Sequence, residues 1–376
     1  MLGVTLKSTN SHSKMTNGDE IVSKVKNKIG SWQSGKFMPI TQRPFSINCY
    51  VLSKTYFKCN SLDLRIKDVN AITSSIKSWV YKDQLEKPEE IILHRPVTHG
   101  GLGLDHVRYK TTARLITSFL ETAANPKFIH SLYHQALYRY YVLEERNFID
   151  PGLPPYYSES FFGIIRKAYQ KSNINILAMR SKDWYNLLLN QNLLMGETEG
   201  TLKKCKSELK NPHIDWERSW SLARIKGLDS EQISFLWKIL HDLLPTQERI
   251  SRIMNTNDPM CKLCNTEPDN LSHLFSCSFT REVCQALLQV VRSVCPDASS
   301  QDILFLSLDL DKSNQFTMIW FISSTLANVW SQRSAKKRSS LVETRAVLEA
   351  CVNILRKSRL FLTEATTIEE YMINFR

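Results

Sequence analysis

The sequence lacks the features that mark most membrane and secreted proteins. No run of 18 apolar residues occurs along its 376 positions, and the chain does not open with the apolar core of a signal peptide. Its nine cysteines show no regular disulfide spacing. With 42% hydrophobic residues the chain can build buried cores, so we expect a globular protein of a reducing intracellular compartment, nuclear or cytoplasmic, without a membrane partner.

Several enzyme motifs are also missing. The chain has no phosphate-binding G-x-x-x-x-G-K-[ST] motif and no Asp-Asp pair. His130 and His134 have the spacing of two metal ligands on a helix, but Ser131 stands where H-E-x-x-H requires glutamate. Asp309 and Asp311 flank Leu310 in a segment that favours an exposed acidic turn. The sequence therefore carries no recognisable catalytic signature.

Strand patterns are scarce, and helical periodicity dominates. Only Leu2 to Leu6 and Glu90 to Leu93 are candidate strands, whereas apolar residues recur at intervals of three and four through most of the chain. This predicts a mostly α fold. Pro- and Gly-rich breaks place boundaries near residues 150–156 and 196–200. The predicted regions are a basic helical bundle (1–105), a helical linker (106–200), a small metal-binding domain packed on helices (201–292) and C-terminal helices (293–376).

What the chain does have is positive charge, and it is unevenly placed. Of the net charge of +12, residues 1–120 supply most, with 18 Lys and Arg against nine Asp and Glu. This distribution of charge has two equally good interpretations. The lysines and arginines contact a nucleic-acid backbone, or they form the solvated surface of ordinary helices.

The most specific pattern is C-x2-C-x8-H-x3-C, formed by Cys261, Cys264, His273 and Cys277. Two thiolates on a short turn and a His/Cys pair four residues apart on a helix from Leu271 to Leu288 can close a tetrahedral zinc shell. A shell of four protein ligands leaves no position for a reacting water, so the pattern predicts structural Zn²⁺. Cys284 is an alternative fourth ligand, and four unrelated buried residues are the alternative to a metal site.

A glycine-rich segment, Arg95 to Leu104, is the strongest interruption of the helical pattern. Gly100, Gly101 and Gly103 permit positive backbone dihedrals or close approach of another group. A phosphate loop is one interpretation, but the spacing of such loops is missing, so a structural turn between helical layers is favoured.

The stretch from Phe235 to Cys277, FLWKILHDLLPTQERI followed by CKLC and HLFSC, resembles the zinc-binding region downstream of the reverse transcriptase in non-LTR (LINE-type) retrotransposons. Upstream, Trp32, Arg43, Trp79 and the loop Pro96 to Leu104 resemble the thumb and following linker of those polymerases. Residues 1–105 would then be thumb-like. One departure is that only Ser276 separates Phe275 from Cys277.

The resemblance implies nucleic-acid binding without catalysis. Polymerases of this kind hold two metal ions with palm carboxylates, and this chain has no Asp-Asp pair, so we expect a fragment or remnant without palm and not an enzyme. RNA or DNA is the expected partner, contacted through the thumb-like region and the zinc knuckle. The candidate contact residues are Lys24, Lys28, Lys36, Arg43, Lys54, Lys58, Lys262, Phe275 and Arg281.

Three other interpretations remain open. The chain would act as a helical scaffold if the stripe of Leu341, Leu348, Val352 and Leu355 packs on a partner protein. It would act as a polymerase module if a separately encoded palm binds it through the strand Leu2 to Leu6. It would have no selected function if it is a transposon relic. Independently, the basic cluster at 333–338 resembles a nuclear import signal, although a solvated helix end is favoured.

Overall fold

The computed structural model of the protein describes residues 10–32, 38–60, 64–82, 84, 87–125, 129–145, 150–152, 159–171, 175–191, 206–256 and 258–334. The candidate strand at residues 2–6, the candidate contact Lys36 and the stripe at residues 341–355 lie outside them. Among the described helices, none is long and apolar enough to cross a bilayer.

The described part of the chain is mostly helical, which confirms the predicted fold class. In chain order the helices are α1 (Asn10–Ser31), α2 (Arg43–Ile47), α3 (Ser53–Lys58), α4 (Ile66–Val80), α5 (Glu90–His94), α6 (Val107–Ala124), α7 (Ile129–Leu137), α8 (Glu159–Lys171), α9 (Ser181–Gln191), α10 (Lys206–Lys210), α11 (Trp216–Leu222), α12 (Ser230–Leu240), α13 (Gln247–Met254), α14 (His273–Ser276), α15 (Arg281–Val294), α16 (Ser300–Phe305) and α17 (Lys312–Ser334). Short π-helical turns follow α2 at Asn48–Leu52 and α7 at Tyr138–Val142, and 3₁₀ turns occur at Val97–His99 and Ile176–Ala178.

Extended pairing in the described residues is limited to two isolated bridges, Lys226 with Leu228 and Met260 with Pro268. The strand predicted at Glu90 to Leu93 is wrong, because this segment forms helix α5. The three apolar residues Ile91 to Leu93 fit either structure by their pattern. The Leu102 amide donates to the Ile92 carbonyl at 2.8 Å and so ties α5 to the glycine-rich segment.

The chain divides into two compact units, each built from separate segments. The first unit comprises residues 1–38, 42–82 and 103–203, and the second comprises 39–41, 83–102 and 204–376. The predicted division into four regions stays a prediction.

In the first unit, α1 packs on α4, and α6 packs on α7 and α9. The apolar residues that recur at intervals of three and four along α6 are buried: Tyr109, Ala113, Ile116 and Leu120 are each at most 2% exposed. They join Phe119, Phe162, Trp184 and other apolar residues in one core, in which Phe119 and Phe162 meet edge to face with ring centroids 5.4 Å apart.

In the second unit, the helix α12 packs on α16 and α17, and α15 packs on α14 and α17. The capping box formed by Asp229 and Gln232 starts α12. Its apolar stripe is largely buried, with Leu236, Trp237 and Leu240 each at most 1% exposed. The amphipathic pattern therefore places α12 at the centre of this unit.

The glycine-rich segment is a structural turn, as the sequence favours, and Gly100 shows why glycine is needed. Its φ is +80°, and a Cβ built there would lie 2.4 Å from the Trp220 ring. Its carbonyl accepts hydrogen bonds from Trp237 Nε1 and His241 Nε2, both at 2.8 Å. These contacts fix the turn against α11 and α12 within the second unit.

A second contact of this turn is a buried ion pair. The Arg95 guanidinium makes two contacts with the Glu208 carboxylate, Nη2 to Oε1 at 2.9 Å and Nη1 to Oε2 at 3.0 Å, with side chains 8% and 4% exposed. Trp220 Nε1 also donates to Glu208 Oε1, at 3.1 Å. The turn is thus held by a buried polar network as well as by packing.

His241 makes the stability of the second unit depend on pH. Burial lowers the pKa of His241 from 6.5 to about 4, and the neutral ring donates to Gly100. Between those values the unfolded chain binds a proton that the folded protein does not. We therefore expect a contribution that is fully present above pH 6.5 and is lost as the pH falls towards 4, by up to about 3 kcal/mol.

The measurement is urea unfolding of the protein and its His241→Gln variant at pH 7.5 and pH 5.5. Gln keeps an N–H donor but does not titrate, so the difference between the two proteins should narrow at pH 5.5. An equal loss of stability in both proteins would contradict the assignment to His241, since other titrating groups are common to both.

Candidate metal centre

The structure brings the four predicted zinc ligands together. The ligand atoms of Cys261, Cys264, His273 and Cys277 all lie within 4.8 Å of one another. Cys261 Sγ is 3.9 Å from Cys277 Sγ, and Cys264 Sγ is 3.3 Å from His273 Nε2. A tetrahedral zinc ion would separate two sulfurs by about 3.8 Å and a sulfur from a nitrogen by about 3.6 Å. The donor set and these spacings fit Zn²⁺.

The first two thiols lie on a tight knuckle. The Cys261 amide donates to the Glu267 carbonyl at 2.9 Å, and the Asn265 amide donates to the Cys261 carbonyl at 2.8 Å. An antiparallel bridge between Met260 and Pro268 closes the loop. Asn265 adopts the left-handed conformation with φ +54°, which asparagine tolerates better than most residues. The turn residues around the CxxC pair therefore bring the two sulfurs to one side of the loop.

The other two ligands lie at either end of a single helical turn. The predicted continuous helix from Leu271 to Leu288 is wrong, because α14 ends at Ser276 and α15 begins at Arg281. The i, i+4 relation survives the break, since the Cys277 amide donates to the His273 carbonyl at 2.8 Å. Asn270 Oδ1 accepts from the His273 amide at 3.0 Å and fixes the start of this turn.

The His273 ring is oriented by the nitrogen that faces away from the thiols. Nδ1 lies 3.0 Å from Glu267 Oε2 and 3.1 Å from Ser276 Oγ, while Nε2 faces Cys264 Sγ. The hydroxyl of Ser276 also donates to Glu267, at 3.1 Å. A carboxylate that accepts from the distal N–H of a ligating histidine is a common feature of zinc sites, because it fixes the tautomer and strengthens the ligand.

The surroundings of the thiols favour thiolates at two of the three cysteines. Burial raises the pKa of Cys264, but the hydroxyl and amide of Thr266 and the Glu267 amide outweigh it and lower the value to about 6. The pKa of Cys261 is also lowered. Burial raises it, but the backbone amides of Cys264 and Leu263 and the Arg333 guanidinium together outweigh burial. Burial raises the pKa of Cys277 to about 11, so this thiol is the one that metal binding must deprotonate against its environment.

A buried ion pair joins the knuckle to two helices. Asp269, 3% exposed, forms an ion pair with Arg333 near the end of α17, and its other carboxylate oxygen accepts from the Gln247 amide at the start of α13 at 2.9 Å. Arg333 Nη2 lies 3.5 Å from Cys261 Sγ. Zinc with three thiolates and a neutral histidine carries a net charge of −1, so the guanidinium would offset the charge of the loaded site.

Cys284 does not belong to the cluster. Its side chain is fully buried one helical turn into α15, and burial raises its pKa to about 12. The structure thus favours Cys277 over Cys284 as the fourth ligand.

The candidate nucleic-acid contacts in the first unit differ in exposure. Lys24, Lys28 and Lys54 are exposed. Lys24 and Lys58 both pair with Glu20, at 2.5 and 3.0 Å, and together they lower the pKa of that carboxyl. Glu20 therefore neutralises part of the positive charge predicted for this region.

Arg43 is buried, whereas a residue that contacts phosphate must lie at the surface. It is 4% exposed, and its guanidinium donates to the backbone carbonyls of Met38, Val80 and Lys82 at 2.6 to 2.9 Å. A buried guanidinium bonded to three carbonyls holds segments of the first unit together and presents no charge to solvent.

Beside the metal centre, Lys262 and Arg281 are exposed, as a contact role requires. Phe275 is half-buried and packs against the cluster of Leu274, Val283 and Val329. Its position fits the core beneath the metal centre better than contact with a base.

Sequence reasoning missed three residues around the site: Glu267, Asp269 and Arg333. The first two lie in the turn after Cys264, where acidic residues are common for reasons unrelated to metals. Arg333 belongs to a basic cluster that the sequence assigned to a solvated helix end, yet its side chain is only 7% exposed. The residues around Arg333 give no indication that it pairs with Asp269, which is distant in the sequence.

Comparison with known families bears on this region. Residues 207–283 match a family described as zinc-binding in reverse transcriptase, and the matched stretch contains all four candidate ligands. The match and the cluster together support a zinc-binding protein related to reverse transcriptases. No curated protein matches the chain.

Proposed function

We propose that this chain is a nucleic-acid-binding relative of a non-LTR reverse transcriptase, without polymerase activity of its own. It would hold RNA or RNA/DNA through the first unit, which we interpret as thumb-like, and through the zinc-organised second unit. The observation that carries the proposal is a face of the first unit on which lysines alternate with exposed aromatic rings.

This face runs along α2, the π-helical turn and α3. Phe45, Tyr50 and Phe57 are 67%, 59% and 56% exposed, and the exposed Lys54 lies among them. Bases of single-stranded nucleic acid stack on exposed aromatic rings in a manner tolerant of sequence. Lysine beside them would contact the backbone phosphates.

The face continues onto the end of α1. Trp32 meets Tyr50 edge to face with ring centroids 6.4 Å apart, and the Lys28 ammonium lies 5.6 Å from the centroid of the Trp32 ring. Contacts thus join Lys28, Trp32 and Tyr50, and helical spacing places Tyr50, Lys54 and Phe57 on one side. We refer to this set as the aromatic-basic face (Lys28, Trp32, Phe45, Tyr50, Lys54 and Phe57).

The metal centre would contribute through its own cations. Lys262 lies within the CxxC knuckle, and Arg281 lies four residues beyond Cys277, both exposed. Zinc would be structural: it would hold these two cations on stiff loops. Catalysis by this chain is not part of the proposal, because the sequence offers no Asp-Asp pair.

The test is binding of a fluorescently labelled structured RNA, followed by anisotropy over a salt series. We expect the logarithm of affinity to fall linearly with the logarithm of salt, with a slope of about −2 if three phosphates are contacted. The double variant Lys28→Glu/Lys54→Glu should weaken binding at least about tenfold at low salt and flatten the slope. A chelator should weaken binding further by removing the contribution of the zinc knuckle.

The matched control is Lys67→Glu/Lys182→Glu, which makes the same charge change at two exposed lysines on α4 and α9. If both double variants weaken RNA binding equally, the loss reflects the net charge of the protein and not the position of Lys28 and Lys54. Absence of RNA binding at low salt would sink the proposal, and salt-independent association with a protein partner would instead favour the scaffold interpretation of the chain.

A further inference from the structure

A cavity of about 390 Å³ opens in the second unit, apart from the metal ligands. Its walls come from the segment before and within α5, from α10, from residues 241–243 just after α12 and from α13. This volume lies in the range of pockets that bind small molecules or part of a larger ligand.

Its lining is rich in positive charge. Four cations line it, Lys87, Lys210, Arg249 and Arg252, together with the carboxylates of Glu89 and Asp242. Lys210 and Asp242 pair loosely, at 3.7 Å with side chains 62% and 43% exposed, so water screens most of their attraction.

Two of the cations are uncommitted. Lys87 and Arg252 are exposed, and within the described part of the chain their side chains make no ion pair or hydrogen bond. A guanidinium and an ammonium without partners at the mouth of one concave site favour an anionic ligand.

The remaining arginine is part of a rigid wall. Arg249 is 9% exposed, and its amide is capped by the Thr246 hydroxyl at 3.4 Å. Asp269 of the zinc knuckle accepts from two further amides of α13, from Gln247 to its carboxylate at 2.9 Å and from Glu248 to its carbonyl at 3.2 Å. The knuckle thereby fixes the helix that carries both pocket arginines, which is the preorganisation that anion binding needs.

We propose that this cavity binds a phosphate group. Arginine matches phosphate in geometry through paired N–H donors, and lysine adds a mobile point charge. Its source under the proposed function is a nucleic-acid strand, so this inference rests on that function for the identity of the ligand; a free phosphate compound would use the same groups.

The experiment uses the full chain loaded with zinc and the double variant Lys87→Glu/Arg252→Glu. Both side chains are exposed and unpaired among the described residues, so folding should be unaffected, as checked by zinc content and Tm. We expect a labelled single-stranded RNA to bind the variant at least about tenfold more weakly, with a salt slope shallower by about 1.4 for two lost contacts. The control is Lys226→Glu/Lys312→Glu, two exposed lysines elsewhere in the same unit with the same charge change.

A second arm distinguishes the sources of phosphate. Inorganic phosphate and a nucleoside triphosphate are added at millimolar concentration, and the shift in Tm is compared between the parent protein and the variant. A rise in Tm in the parent protein alone supports the phosphate site. If the parent shows this rise but binds no RNA at low salt, the cavity is a site for free phosphate compounds and the proposed function fails. Unchanged RNA affinity and slope in the variant, without any difference in Tm shift, would overturn the site while leaving the aromatic-basic face untouched. Equal weakening by the control pair would overturn it as well.

Discussion

The Cys264→Ser variant is expected to lose the folded structure around residues 235–290. Cys264 is only partly buried and serine is nearly isosteric, so little packing is lost directly. The loss comes from the metal: apparent binding free energies of structural zinc are about 10 kcal/mol or more, which exceeds what a small knuckle gains from apolar burial. The loss should extend beyond the knuckle, because both α13 and the end of α17 are bonded to the buried Asp269.

Limited proteolysis with mass spectrometry of the fragments measures this effect. New cleavage sites should cluster between 235 and 290, while the helices of the first unit stay protected. Cys284→Ser is the matched control, since it removes a buried thiol outside the metal cluster and should retain one zinc per chain. Full protease resistance of Cys264→Ser, together with an unchanged zinc content, would refute the ligand assignment.

The second large effect is expected from Arg95→Met. This change removes the guanidinium from the Glu208 carboxylate, which stays buried at 4% exposure, while the indole N–H of Trp220 still donates to it. Removing one partner of a buried ion pair costs about 3 to 5 kcal/mol, because the other charge stays desolvated without compensation. The second unit should therefore unfold at markedly lower urea concentration.

The double variant Arg95→Met/Glu208→Gln separates the pair from the packing. With both charges gone, and the amide oxygen introduced at position 208 able to accept from Trp220, we expect most of the loss to be recovered. Urea unfolding followed by tryptophan fluorescence gives the double-mutant cycle. If the double variant is as unstable as Arg95→Met or worse, the cost lies in lost contacts of the Arg95 side chain and the uncompensated charge is not its cause.

The metal centre was the part of the molecule most accessible from sequence, for a physical reason. All four ligands lie within 17 consecutive residues, and their spacing follows from the geometry of one tight turn and one helical turn. The helix break between Ser276 and Arg281 was missed, since this stretch contains no proline or glycine to interrupt a helical pattern.

Contacts between distant segments were not accessible. Arg43 was predicted at a nucleic-acid surface because charge is visible in a sequence, whereas its three carbonyl partners are not. The same applies to Arg333, whose partner Asp269 lies on a different element. In both cases tertiary packing determines whether an arginine faces solvent or closes a buried network.

The glycine-rich turn is an intermediate case. Gly100 indicated a special backbone conformation or a close approach, and the structure shows both, with φ +80° and the Trp220 ring beside it. The sequence pattern did not identify the side chains that contact Gly100, because Trp237 and His241 are separated from it by 137 and 141 residues.

Those separations also bear on how the protein is made. Residues 83–102 belong to the second unit, yet they leave the ribosome before residues 103–203, which complete the first unit. Arg95 must wait for Glu208, 113 residues later, which takes on the order of ten seconds at typical rates of translation. Cys277 and Arg333 emerge later still. We therefore expect the segment 83–102 to remain without its partners in the second unit through this interval, and metal uptake to follow only after it.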